Sequence, residues 1–132
     1  MKIAVDTNVL LRDALRDDPR QSQIASRTLQ RAKLVAVPTP VLCEFVWVMR
    51  RLYKRSSAEI ALSIRLLMSA DNAEMDRPAI EAGLEVLDQG GDFADGVIAY
   101  QGQWLGAEEF VSFDKDAVKL LKSKGMRARL LS

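Results

Sequence analysis

The sequence predicts an α/β fold in which helices sandwich a short, mostly parallel central sheet. Short apolar runs alternate with amphipathic helical stretches along the whole chain, which is the pattern of parallel βα units. The helical stretches are punctuated by caps at their starts and glycines at their ends. At 132 residues the chain reads as one domain spanning 1–132, long enough for a genuine core and too short for two.

The elements follow in order. KIAV is a short strand that ends on Asp6, and a helix then runs from Asn8 to about Arg16. DDPRQ breaks that helix, with a proline suited to the first turn of the next. Ser22 to Lys33 places Ile24, Ala25, Thr28 and Leu29 at helical spacing. LVAVP is a second strand closed by Pro38, a poor ladder member. TPVLCEFVWVMRRLYKR is a long helix, with Thr39 as its cap and Pro40 at its first position. In SSAE, Ser56 or Ser57 caps a helix reaching about Ser69, and Glu59 completes a capping box with Ser56.

Ala73 to Met75 is a short edge strand, and Arg77 to Asp88 is a helix stopped by Gly90 and Gly91. DFADGVIAYQGQWLG is a helix closed by Gly106, and EEFVSF is a strand. DKDAVKLLKSKG is a helix closed by Gly125, and MRARLLS is the final strand. There are no repeats, low-complexity segments or interdomain linkers.

Composition removes whole classes of chemistry. The chain contains no histidine and a single cysteine, Cys43, so Ser-His-Asp and Cys-His triads, zinc clusters and disulfide frameworks are out. The lone thiol reads as a small buried apolar residue and fits a reducing compartment, so the expected location is the cytoplasm. Asp6 interrupts the apolar start where a signal peptide would need to continue, and LSIRLLM is far below membrane-spanning length, so no membrane partner is expected. With a formal net charge of +1, any nucleic acid must be held by local basic patches. Catalysis, if present, must rest on carboxylates, hydroxyls, amines or a hard metal ion.

The acids are the informative residues. Asp6 and Asp114 each follow a strand, at the carboxyl edge where parallel sheets keep their ligand crevice. Each can equally be a helix N-cap, although Thr7 or Asn8 could cap the first helix and leave Asp6 to hold an ion. Asp116 then sits favourably in the first turn after Asp114. Glu44 shares a helical face with Pro40, Val41, Trp47 and Val48, an apolar face that predicts an inward carboxylate. An ionised carboxylate there is costly unless paired or bound to a cation. Asp95, among Asp92, Ile98, Ala99 and Gly102, also points inward by this pattern. Asp92 is the natural cap of that helix and can double as an auxiliary acid. No basic residue lies on the same turn as Glu44 or Asp95, so converging acids would need a hard divalent cation such as Mg²⁺ or Mn²⁺. Such a cluster activates water and clamps a phosphodiester.

Taken together, DTNVLL, PTPVLCEFVWVM, DFADGVIAYQGQWLGA and FVSFDKD resemble, in order and spacing over essentially the whole chain, a PIN (PilT N-terminus) domain of the VapC-like toxin type. The resemblance implies a Rossmann-like three-layer α/β/α sandwich with a short parallel sheet. It also implies that Asp6, Glu44, Asp95 and Asp114 form the metal-binding catalytic set. Asp92 and Asp116 match positions that are often acidic in relatives. Asn8 and Ser112 match polar residues that orient acids or metal-bound waters. Gly96 and Tyr100 stand where relatives often carry Ala, a departure expected to reshape the pocket floor or a neighbouring interface. The implied activity is a Mg²⁺- or Mn²⁺-dependent endoribonuclease, the toxin of a type II toxin–antitoxin pair. Such toxins form homodimers, are inhibited by a cognate antitoxin, and cut structured RNAs, tRNA among them.

Arg50, Arg51, Lys54 and Arg55 cluster at the end of the Glu44 helix, as a solvated helix end or as contacts for RNA phosphates or antitoxin acids. Lys115, Lys119, Lys122 and Lys124 read as an ordinary exposed helix face. In AEIALSIRLLM the apolar residues cannot all face one core, which predicts an additional buried surface. Trp47 and Trp104 read as core or interface residues. A haloacid-dehalogenase-like phosphatase is disfavoured, because Asn8 stands where its second acid belongs. Two alternatives stay open: a PIN-domain nuclease of RNA processing without an antitoxin, and a non-catalytic metal- or partner-binding α/β module.

Overall fold

A computed structural model describes residues 1–132, which fall into two compact units, Met1–Asp76 and Arg77–Ser132. Every strand pairing is parallel and helices separate the strands, as the α/β expectation requires.

The N-terminal unit holds β1 (Lys2–Ala4), α1 (Thr7–Leu15), α2 (Pro19–Arg31), β2 (Leu34–Ala36), α3 (Thr39–Arg51), α4 (Ser57–Met68) and β3 (Ala73–Glu74). Its sheet order is β1-β2-β3, with Ile3 beside Val35 and Val35 beside Ala73. Val35, Leu42, Phe45, Ile60 and Ile64 are buried. The first helix settles an ambiguity of the sequence. Asp6 itself is the cap, its Oδ1 accepting the Val9 N–H at 3.1 Å, and Thr7 is already helical and buried. Asp18 caps α2 in the same way through Gln21, with Pro19 in the first turn, so this helix starts before the expected Ser22.

In α3 the expected Thr39 cap is absent. Pro38 holds the cap position without a side-chain bond, and its carbonyl accepts the Val41 N–H at 3.0 Å. The helix also stops at Arg51 rather than running through Arg55, because Lys54 adopts a left-handed conformation (φ 54°) that turns the chain toward the next cap. There the capping box is complete. Glu59 N–H donates to Ser56 Oγ at 3.1 Å, and the Glu59 carboxylate accepts the Ser56 N–H. These Ser56 bonds, with help from Arg55, hold the Glu59 carboxyl below its ordinary range. Ile60, Ala61 and Ile64 are buried, whereas Leu62 and Leu66 stay exposed, so the apolar excess of α4 does face outward.

The C-terminal unit holds α5 (Arg77–Asp88), α6 (Phe93–Trp104), β4 (Phe110–Ser112), α7 (Lys115–Ser123) and β5 (Ala128–Leu130). Its two strands pair in parallel, Phe110 beside Ala128 and Ser112 beside Leu130. Val86, Ala99, Val118, Leu121 and Ala128 form its buried cluster, with Phe110, Leu120 and Met126 packed against it. Gly96 has a tighter task than lining a pocket. A Cβ there would lie 2.5 Å from the Ala82 carbonyl oxygen and 2.9 Å from Gly83 Cα, so the glycine lets α5 and α6 approach backbone to backbone. Gly90, at φ 83°, provides the left-handed turn between these helices.

Trp47 and Trp104 are exposed, at 56% and 78%, so neither belongs to a core. No helix is long and apolar enough to cross a membrane.

Candidate functional site

Of the candidate residues, Asp6, Asn8, Glu44 and the basic cluster belong to the N-terminal unit; Asp92, Asp95, Ser112, Asp114 and Asp116 belong to the C-terminal unit.

In the N-terminal unit, Asp6 is exposed at the end of β1, and only one of its carboxylate oxygens is spent on capping. Asn8 is exposed in the first turn of α1. Glu44 corrects the expectation of an inward carboxylate. The buried stripe of α3 runs through Leu42, Phe45, Val46 and Met49, and Glu44 lies off it, exposed beside exposed Pro40 and Trp47. Apolar residue type does not mark the core face here, because Trp47 and Pro40 face solvent. Glu44 therefore keeps its charge hydrated and needs no buried counter-ion. Of the basic cluster, Arg50 donates to Ser57 Oγ and Arg55 pairs with Glu59 at 3.4 Å, so both help to organise the start of α4. Arg51 and Lys54 are exposed.

In the C-terminal unit, four of the five candidate residues border one recess of about 490 Å³. Asp92, Asp95, Asp114 and Asp116 supply its acidic wall, and Val86, Ala117 and Leu120 line it with apolar surface. The local reasons are plain. Asp92 caps α6 through the Ala94 N–H at 3.0 Å, and three residues on, Asp95 stands on the same face as Asp92. Asp114 caps α7, accepting N–H bonds from Asp116 at 3.0 Å and Ala117 at 3.1 Å on a single oxygen. Ser112 does not line the recess. Its Oγ accepts the Asp114 N–H at 2.9 Å and so orients that acid from behind.

Asp95 is the only half-buried acid of the four. Burial first, and then the negative charges of Asp92 and Asp114, push its carboxyl up to about 6. None of the four acids forms an ion pair. The donor chemistry fits a hard divalent cation, because every donor is an oxygen and Asp92 and Asp114 each keep one oxygen outside their caps. Within neither unit do three acids stand close enough together to grip an ion as they are placed.

Lys119 also lines the recess, although its sequence neighbours alone place it on an ordinary exposed helix face. The signal was there in the spacing: Asp116, Lys119 and Ser123 recur at i, i+3 and i+7, which brings them to one side of α7.

Comparison with known families matches the PIN domain to residues 3–122. No curated protein matches the chain.

Proposed function

Because the chain belongs to the PIN domain family, whose three-layer α/β/α class its seven helices and parallel strands fit, we propose that it is a metal-dependent endoribonuclease of the VapC-like toxin type. PIN domains are generally metal-dependent nucleases acting on nucleic acids. The observation that carries the proposal is the recess of the C-terminal unit. Four carboxylates without ion pairs border it, in a chain with no histidine to offer another catalytic base.

Asp6, Glu44, Asp95 and Asp114 would hold Mg²⁺ or Mn²⁺, with Asp92 and Asp116 as auxiliary acids and Asn8 and Ser112 as orienting groups. A divalent ion supplies Lewis acidity at the phosphoryl group and lowers the pKa of bound water. The chain's own residues do the rest. Ser112 fixes the backbone of Asp114, and the α7 cap fixes its carboxylate. Asp95 carries a proton up to about pH 6, so an incoming cation must displace it, and affinity for the ion should fall below that pH. Arg50, Arg51, Lys54 and Arg55 form the basic surface for RNA phosphates or antitoxin acids. The substrate would be a structured RNA such as tRNA, and the setting the cytoplasm. A homodimer and a cognate antitoxin would cover apolar surface, which the exposed Leu62 and Leu66 of α4 offer.

The test is cleavage of a structured RNA with Mg²⁺, Mn²⁺ or EDTA, comparing the natural chain with Asp6→Asn and Asp95→Asn. Metal-dependent cutting that both substitutions reduce by about a hundredfold or more is expected, the order of losing preorganised electrostatic stabilisation. Cleavage that persists in EDTA or in both variants refutes the mechanism. Growth arrest on expression, relieved by the same substitutions, supports the toxin role; cleavage without arrest points to RNA processing instead.

A further inference from the structure

The acidic recess of the C-terminal unit poses a problem for its own substrate. Four carboxylates border it, and a phosphodiester strand brings further negative charge to the same place. One cationic side chain belongs to the lining, Lys119 of α7. It is exposed, and it makes no ion pair or hydrogen bond, although acids surround the recess. A lysine placed to balance those acids would be paired with one of them, as Arg129 is with Glu109 at 2.9 Å on the same unit. Burial also gives Lys119 no structural task, since the core face of α7 is Ala117, Val118 and Leu121. Lys115 and Lys122 of the same helix, and Lys124 at its C-cap, are exposed but lie outside the recess.

We propose that Lys119 is the phosphate anchor of this recess, holding a backbone phosphate of the substrate strand beside the acids. This rests on the nuclease reading above. A lysine ammonium is a compact charge with three donors on a flexible stem, suited to meeting non-bridging phosphate oxygens without reading base sequence. Binding of that kind is made equally in the ground and transition states, so it sets how well RNA is held and leaves the chemical step alone. Gln89, which also lines the recess, offers a neutral amide donor there, whereas the Ser123 hydroxyl already donates to the Leu120 carbonyl at 2.6 Å.

The experiment measures metal-dependent cleavage of one labelled RNA by the full chain carrying Lys119→Met, Lys119→Arg or Lys122→Met, across a range of salt concentrations. Lys119→Met should raise KM about tenfold, the order that one charge-assisted hydrogen bond contributes, with kcat unchanged. It should also flatten the dependence of log(kcat/KM) on log[salt] by about 0.7, the share of one phosphate contact on a single strand. Lys119→Arg should restore both, and Lys122→Met should match the natural chain. If the natural chain cuts RNA while Lys119→Met keeps its KM and salt slope, the anchor is overturned and the nuclease reading stands. A fall in kcat at constant KM overturns the anchor as well. If the natural chain cuts no RNA with either metal, both readings fall together.

Discussion

Replacing Asp95 with Asn should make this protein more stable at neutral pH, and less active. The Asp95 carboxyl moves from 3.8 to about 6 in the folded chain, with burial as the first cause and Asp92 and Asp114 next. The sign follows directly. A raised folded-state pKa means that the native state holds the proton more tightly than the unfolded chain does. The fold therefore loses stability as pH rises from about 3.8 through about 6, and above that the full penalty of an ionised Asp95 is in place. At about 1.36 kcal/mol per unit, the shift corresponds to at most about 3 kcal/mol. Asp95 is only half-buried, and solvent screening brings the expected gain for Asn down to about 1 kcal/mol. For a domain of this size that is a rise in melting temperature of about 3–5 °C.

The assay is thermal unfolding by circular dichroism at pH 7.5 and pH 4 in EDTA. Asp95→Asn should melt above the natural chain at pH 7.5 and level with it at pH 4. Added Mg²⁺ should then close the gap at pH 7.5 by raising the natural chain alone, since a bound cation relieves the repulsion that Asn has already removed. A variant that melts at or below the natural chain at pH 7.5 in EDTA would refute the view that Asp95 is an acid held against its electrostatic preference.

Two other substitutions test separate parts of the structure. Gly96→Ala should destabilise by about 1–3 kcal/mol, the usual cost of overpacking, because its Cβ meets the Ala82 carbonyl and Gly83 Cα; an unchanged urea midpoint would mean that α5 and α6 are not so closely apposed. Asp114→Ala should cost about 1 kcal/mol by uncapping α7, whereas Asp114→Asn should keep the cap and the stability but lose RNA cleavage; equal stability losses in the two would show that charge, not the cap, is what Asp114 contributes to the fold.

Much of this protein could be read from local sequence, and the successes share a cause. The capping box at Ser56 and Glu59, the Asp92 and Asp114 caps, and the left-handed turn at Gly90 all depend on residues within four positions of one another. The Arg77–Asp88 helix is bounded as the sequence predicts, because its apolar period and its glycine stop agree. Even the competing reading of Asp6 was local, and the structure resolves it by making Asp6 the cap with one oxygen to spare.

Where the reading failed, the missing information lay in which side of a helix is covered. Glu44 has apolar neighbours at helical spacing, yet Trp47 and Pro40 face solvent and take Glu44 with them. Lys119 looked like one of four equivalent surface lysines until α7 turned it toward the recess. Gly96 looked like a departure in a pocket, and only the approach of α5 to α6 reveals what a methyl group there would strike. The raised pKa of Asp95 is of the same kind, because its first cause is burial, and Asp114, distant in sequence, adds to it only once the fold brings it near. By itself the sequence determined the element order, the capping box at Ser56 and Glu59, the Asp92 and Asp114 caps, the α/β class and the acid inventory, since each is written in residue type and short spacing. Which acids share a recess, which are hydrated and which lysine joins them was decided by tertiary packing, because burial and charge proximity are properties of surfaces that meet.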